Sequence, residues 1–180
     1  MIKMPEILLI AGTGRNSGKT TLACNVIRKF STFNSIIALK ITPHFHKYIQ
    51  SKNVLFNSSD LYIAEETDST TGKDSSLMLE AGARQSFFIM ATDAHLGTAI
   101  REICKIIPPN ALLVCESGGL RHHVVPGLFF MMNKIDDEVV KPGAEKLKIL
   151  ADRLIRFNGK NIDFDLDTIE LKDNQWILKQ

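Results

Sequence analysis

The sequence predicts an α/β domain with a largely parallel sheet, and three observations carry that prediction. Five short apolar runs rich in β-branched residues recur along the 180-residue chain. Segments with helical spacing separate several of them, and a glycine-rich loop lies between the first run and the first helical pattern. Continuous apolar runs mark strands buried on both faces. Their alternation with helices supplies the crossovers that parallel pairing requires.

The strand candidates are Ile7 to Ala11, Ile36 to Ile41, Phe87 to Ala91, Ala111 to Cys115 and Leu128 to Met132. Gly18 to Phe30 reads as a helix. Leu96, Ala99, Ile100, Ile103 and Ile107 keep the i, i+3, i+4 spacing until Pro108-Pro109 stops it. Leu147, Leu150, Ala151, Leu154 and Phe157 repeat that spacing after Pro142, with Gly159 at the exit, and predict a further helix. Asn53 to Phe56 and Leu61 to Thr67 flank a polar Asn57-Ser58-Ser59-Asp60 turn and predict an inserted hairpin. In the tail, Ile162, Phe164 and Leu166 alternate with Asp163, Asp165 and Asp167. Alternation alone produces that pattern, so it reads as a solvated strand face and not a calcium site. Asp173-Asn174 then separates Ile169–Leu171 from Trp176–Leu178 and predicts a C-terminal β-hairpin.

Composition narrows the function. A chain of 20.1 kDa suits one domain spanning 1–180. Twenty-two basic against 20 acidic residues leave a net charge of +2, which gives no support for nucleic-acid binding by bulk electrostatics. Hydrophobic residues at 44% and charged residues at 23% fit a globular chain. The three cysteines, Cys24, Cys104 and Cys115, are odd in number and form no CxxC pair. A disulfide framework and a zinc ribbon are therefore excluded, and the cytoplasm is the expected compartment. No apolar run approaches the roughly 18 residues of a membrane span, and the opening residues lead into a glycine loop and not a signal cleavage site.

That loop, Gly12-Thr13-Gly14-Arg15-Asn16-Ser17-Gly18-Lys19-Thr20-Thr21, is the strongest chemical signal. It follows an apolar strand and opens an amphipathic helix, the setting a phosphate loop requires. Glycines let backbone N–H groups turn around a phosphate, and the helix N-terminus adds partial positive charge. The nucleotide-binding residues are then Gly14, Arg15, Asn16, Ser17, Gly18, Lys19, Thr20 and Thr21. Lys19 is expected to reach the β- and γ-phosphates, and Thr20 to hold Mg²⁺ through its hydroxyl. Thr13 stands where the strict motif has glycine, with Gly12 and Gly14 on either side. The fold expected is a three-layer phosphate-loop NTPase.

Ligands of such sheets sit beyond the carboxyl ends of the strands. Lys40, His44 and His46, Thr92-Asp93, Glu116-Ser117-Gly118-Gly119 and Asn133-Lys134 all fall at strand ends. Glu116 is the candidate acid for orienting Mg²⁺ or water, while Cys115 reads as a small core residue. Two readings stand for Gly72-Lys73-Asp74-Ser75: a helix cap, or a switch facing the γ-phosphate. Asn133-Lys134-Ile135-Asp136 fits the NKxD pattern that reads guanine, or is a chance match. His44, His46, His122 and His123 are available to zinc or nickel, but their spacing matches no diagnostic ligand set. The plainer reading makes them polar loop residues contacting phosphate or a pterin-like anion.

On these residues the chain resembles the molybdopterin-guanine dinucleotide biosynthesis protein B (MobB) family of phosphate-loop GTPases. Asn16–Thr21 match the family's phosphate loop; Lys40, His44 and His46 match its lysine and histidine-rich loop. Gly72–Ser75 leading to Ala81–Ala83 match its GKDS and AGA segments, and Cys115–Gly118 its glutamate-ending strand. Ile41-Thr42-Pro43 intervene before the histidines, and the glutamate motif reads ESGG. The resemblance covers roughly Ile7 to Gly119. It implies a weak Mg-GTPase assisting attachment of GMP to a molybdopterin-type cofactor, with a nucleotidyltransferase partner and a homodimeric state. Lys19, Glu116 and Asp74 would be its catalytic residues. Two rivals share the scaffold: an ATP-dependent small-molecule kinase or ligase whose acceptor pocket Lys40, His44 and Arg121 could line, and a nucleotide-switched adaptor or metallochaperone.

Overall fold

The computed structural model describes residues 1–45, 53–135 and 143–179. Its strands are β1 (Ile2–Gly12), β2 (Ile36–Thr42), β3 (Asn53–Asn57), β4 (Leu61–Glu66), β5 (Gln85–Ala91), β6 (Leu112–Glu116), β7 (Val124–Lys134), β8 (Arg153–Phe157), β9 (Ile169–Lys172) and β10 (Gln175–Leu178). The helices are α1 (Lys19–Phe30), α2 (Asp74–Glu80), α3 (Leu96–Ile106) and α4 (Ala144–Lys148). Eight strands form one sheet in the order β3-β4-β5-β2-β6-β1-β7-β8. Pairing is parallel from β5 to β8 and antiparallel where β3 and β4 extend the edge.

Alternation along each strand divides the side chains between two buried layers. Leu8, Ile10, Ala38, Val114 and Phe130 face α1, α2 and the β9–β10 hairpin. Leu9, Leu39, Cys115, Phe129 and Met131 face α3, α4 and the connection 117–123. That connection carries the chain from β6 across β1 to β7 in seven residues, with a 3-10 turn at Leu120–His122 in place of the α-helix such a crossover usually contains. Leu120 anchors it in the core.

The terminal hairpin caps the first layer through Trp176. Its indole Nε1–H donates to the Glu6 carbonyl at 2.9 Å. Its ring meets Phe30 edge-on at 5.1 Å. Gly127 permits this closeness, since a Cβ there would lie 2.1 Å from the Pro5 carbonyl oxygen and 2.8 Å from that of Trp176.

Two expected elements differ. The helix expected through Leu154 and Phe157 stops at Lys148, and the chain re-enters the sheet as β8. Asp152 makes the turn: its backbone N–H donates to the Phe129 carbonyl, and its carboxylate accepts the Phe129 N–H at 2.7 Å. Side-chain competition for backbone groups of this kind opposes helix continuation. The alternating Asp163–Asp167 segment is a loop and not a strand. Asp163 accepts the Arg156 N–H, Asp165 caps a 3-10 turn at Asp167, and Asp167 pairs with Lys29. Both predicted hairpins are present, and the inserted one joins the main sheet through β4.

Crowding at Gly127 is backbone against backbone, which cannot rotate away. Gly127→Ala should destabilise the protein by about 2–3 kcal/mol. Gly72→Ala, strained only by its φ of +71° with open space around it, should cost about 1 kcal/mol. Thermal melting of both variants checks the order.

Candidate functional site

The sheet register sets the site. Ile10, Glu116, Lys40 and Phe88 are successive partners across β1, β6, β2 and β5, so their side chains emerge on the α1 face. Two are apolar and two are charged. The Glu116 side chain is only 2% exposed and that of Lys40 15%, and the ammonium lies 2.5 Å from Glu116 Oε1. Burial pulls the Lys40 ammonium down, but the carboxylates of Glu116 and Asp74 outweigh it and hold the group above its ordinary 10.5. Because the folded value is the higher one, the stabilisation that Lys40 contributes through its charge is fully present below its ordinary value and is lost as pH rises through the raised one.

Two helix N-termini complete the cluster. Asp74, first residue of α2, places Oδ2 2.6 Å from the Lys40 ammonium. Thr20, in the first turn of α1, has its hydroxyl 2.7 Å from Glu116 Oε2 and 3.1 Å from Asp74 Oδ1. Each carboxylate thus turns one oxygen to Lys40 and the other to Thr20. Asp74 is the first residue of its helix and not its cap: Lys73 holds the cap position without a side-chain capping bond, and the Asp74 carboxylate turns to Lys40 and Thr20 instead.

The loop between β1 and α1 is braced from within and without. Gly18 adopts φ +82°, and a Cβ on it would strike the Phe157 ring at 2.6 Å. Gly12 leaves room for Ser17, whose Oγ would lie 2.4 Å from an added Cβ. Ser17 is fully buried and donates to the Gly14 carbonyl at 3.2 Å. The Lys19 ammonium folds back onto the Gly14 carbonyl at 2.8 Å and Ser17 Oγ at 3.1 Å. Arg15 and Asn16 form the exposed tip, with Asn16 at φ +54°, and Thr21 faces solvent. Thr13, the departure from the strict motif, is buried and donates from Oγ1 to Asn133 Oδ1 at 3.1 Å. Its backbone N–H continues the pairing with β7 by donating to the Met132 carbonyl.

A cleft of about 1210 Å³ opens over these groups. One end is walled by Gly143, Leu147 and Phe157; the other passes Lys40 and Glu116 to reach His44, Asp93 and His122. Asn133 and Lys134 end β7 but do not line the cleft; Asp136 and His46 lie outside the described residues. Arg121 does not line the cleft. Its guanidinium donates to the Val124 carbonyl and lies over the Phe129 ring. Among the described residues no three His, Cys, Asp or Glu side chains converge as a metal-holding group, so the histidine alternative gains no support. Cys115 is fully buried, and burial pushes its thiol well up, as suits a core residue and not a nucleophile. The Thr20 hydroxyl between two carboxylates is instead an all-oxygen donor set, the kind Mg²⁺ takes.

Compared with known proteins, the chain matches no family model, no curated protein and no solved structure. The geometry of the cleft therefore carries the functional reading.

The structure adds partners for one expected residue and one new contributor. Lys40, expected at a strand end, is ion-paired with Glu116 and Asp74, as a lysine inside the buried run Ile-Ala-Leu-Lys-Ile requires. Phe157, the new contributor, had no sequence signal, being in register with the expected helix. Burial ranks the two carboxylates. Glu116→Gln breaks a buried pair and should cost about 3 kcal/mol. Asp74→Asn, at a side chain 43% exposed, should cost under about 1 kcal/mol. Equal losses in urea denaturation would contradict that ranking.

Proposed function

We propose that the protein is a Mg-dependent, GTP-binding phosphate-loop NTPase with the three-layer fold of that class and weak hydrolytic activity. The observation that carries this reading is Thr20. Its hydroxyl opens the helix after a strand–glycine-loop turn and meets Glu116, at the end of the neighbouring strand, and Asp74. Strand, loop, hydroxyl and acid are the parts from which phosphate-loop enzymes assemble a metal-nucleotide site.

Each residue has a physical task. The loop from Gly14 to Thr21 surrounds phosphate oxygens with backbone N–H groups. Lys19, now folded onto the loop, turns outward to neutralise phosphate charge. Thr20 and Glu116 would hold Mg²⁺, with Asp74 beside them, and the chemistry it would supply there is neutralisation of phosphate charge. Glu116 or Asp74 orients the attacking water. Phosphoryl transfer depends mainly on positioning and charge stabilisation, so this set suffices for slow hydrolysis. Asn133, Lys134 and Asp136 are assigned to guanine, with Asn133 also bracing Thr13. Phe157 and Leu147 offer the apolar wall a base requires. By its resemblance to the MobB family, the protein would act as a homodimer with a nucleotidyltransferase in attaching GMP to a molybdopterin-type cofactor.

One observation favours a second reading. The cleft continues past Glu116 to Asp93, His44 and His122, more room than a hydrolytic water needs. An acceptor bound there would make the protein an ATP- or GTP-dependent small-molecule kinase or ligase.

Calorimetry of GTP and ATP with Mg²⁺ separates these. GTP should bind at least tenfold more tightly than ATP. Lys19→Ala should abolish binding of both, and Asp136→Ala should remove the preference. A preference that survives Asp136→Ala discards the NKxD assignment. Tighter ATP binding moves the weight to the kinase or ligase. Failure of wild type to bind either nucleotide rejects the phosphate-loop function.

A further inference from the structure

The Lys40 ammonium sits on one oxygen of each carboxylate in the proposed metal site, at 2.5 Å from Glu116 and 2.6 Å from Asp74. These carboxylates come from different elements, β6 and α2, and share Lys40 and Thr20 as partners. Two anions so close, one of them almost fully buried, need a cation to coexist. In the structure that cation belongs to the chain itself. A divalent ion arriving alone meets a site already offset by a positive charge and loses part of its attraction. A divalent ion arriving with a triphosphate brings several negative charges, which supply the attraction again and give the ammonium other oxygens to contact.

We infer that Lys40 is the resident counter-ion of this site and makes divalent-cation binding conditional on a polyphosphate. The inference rests on the phosphate-loop reading of the cleft. It differs from the role of Lys19, which approaches phosphates from within the loop, because Lys40 acts on the metal's carboxylates from the sheet. Its consequence is ordered loading: the empty protein does not retain Mg²⁺, and the metal and nucleotide enter together.

Manganese serves as the probe, followed by electron paramagnetic resonance in nucleotide-free protein. Lys40→Gln should bind one Mn²⁺ per chain at least tenfold more tightly than wild type, and Lys40→Gln/Glu116→Gln should lose that gain. An unchanged Mn²⁺ affinity in Lys40→Gln overturns the inference. If the variant melts without metal, recovery of its cooperative transition in millimolar Mn²⁺ supports the same conclusion, and failure to fold with metal overturns it. Binding of guanylyl imidodiphosphate with Mg²⁺ is measured on the same preparations. No binding to either protein defeats the phosphate-loop reading. Triphosphate binding with unchanged Mn²⁺ affinity defeats the assignment to Lys40 alone.

Discussion

The ion pair between Lys40 and Glu116 is the constraint to which the architecture conforms. A charged pair on neighbouring strands can be buried only where further polar groups complete it. That confines it to the carboxyl end of the sheet, where the first turns of α1 and α2 bring Thr20 and Asp74. It also fixes register. Sliding β2 by one residue would turn Lys40 into the layer occupied by Leu39, Cys115 and Phe129. The pair therefore specifies strand alignment and the approach of two helices, beyond whatever energy it contributes.

A second dependence runs from the end of the chain to its beginning. The loop after β1 is an N-terminal motif, yet the groups that shape it arrive late. Phe157 from β8 fills the space that Gly18 leaves, and Asn133 from β7 accepts the Thr13 hydroxyl. Thr13 explains its own departure from the strict motif: a glycine there could not make that bond. Local sequence gives the loop its backbone freedom, and distant strands select the conformation used.

Much of this was legible in the sequence because burial on both faces leaves a strong trace. All five apolar runs are strands, and the parallel pairing that their alternation implied is observed. The loop, Glu116 and Asp74 were legible as candidates through residue types at particular places, glycines and a threonine after the first strand and acids at a strand end and a helix start, and the fold brings Thr20, Glu116 and Asp74 together. Leu147 to Phe157 misled for a physical reason. Leu147 and Ile155 are both buried, at spacing compatible with a helix, while Leu150 and Leu154 remain exposed. The signal that ends α4 is Asp152, whose partner Phe129 is distant in sequence. The alternating aspartates misled likewise, because side chains that bond local backbone and side chains that line a strand share one pattern. Lys40 was legible as a polar group at a strand end, but its pairing with Glu116 follows only from sheet register.

The strand order also bears on how the chain is made. β1 leaves the ribosome long before both its sheet neighbours, β6 and β7, which begin at Leu112 and Val124. About a hundred residues must be synthesised before either edge is covered. At translation rates of about 5–20 residues per second, the apolar strand from Ile7 to Ala11 waits roughly 5–20 seconds without its partners. Closure of the sheet centre cannot proceed from the N-terminus outward; it is a late, long-range event of the kind that slows folding. The nascent chain thus carries an unprotected hydrophobic strand throughout that interval, the sort of segment that chaperones bind.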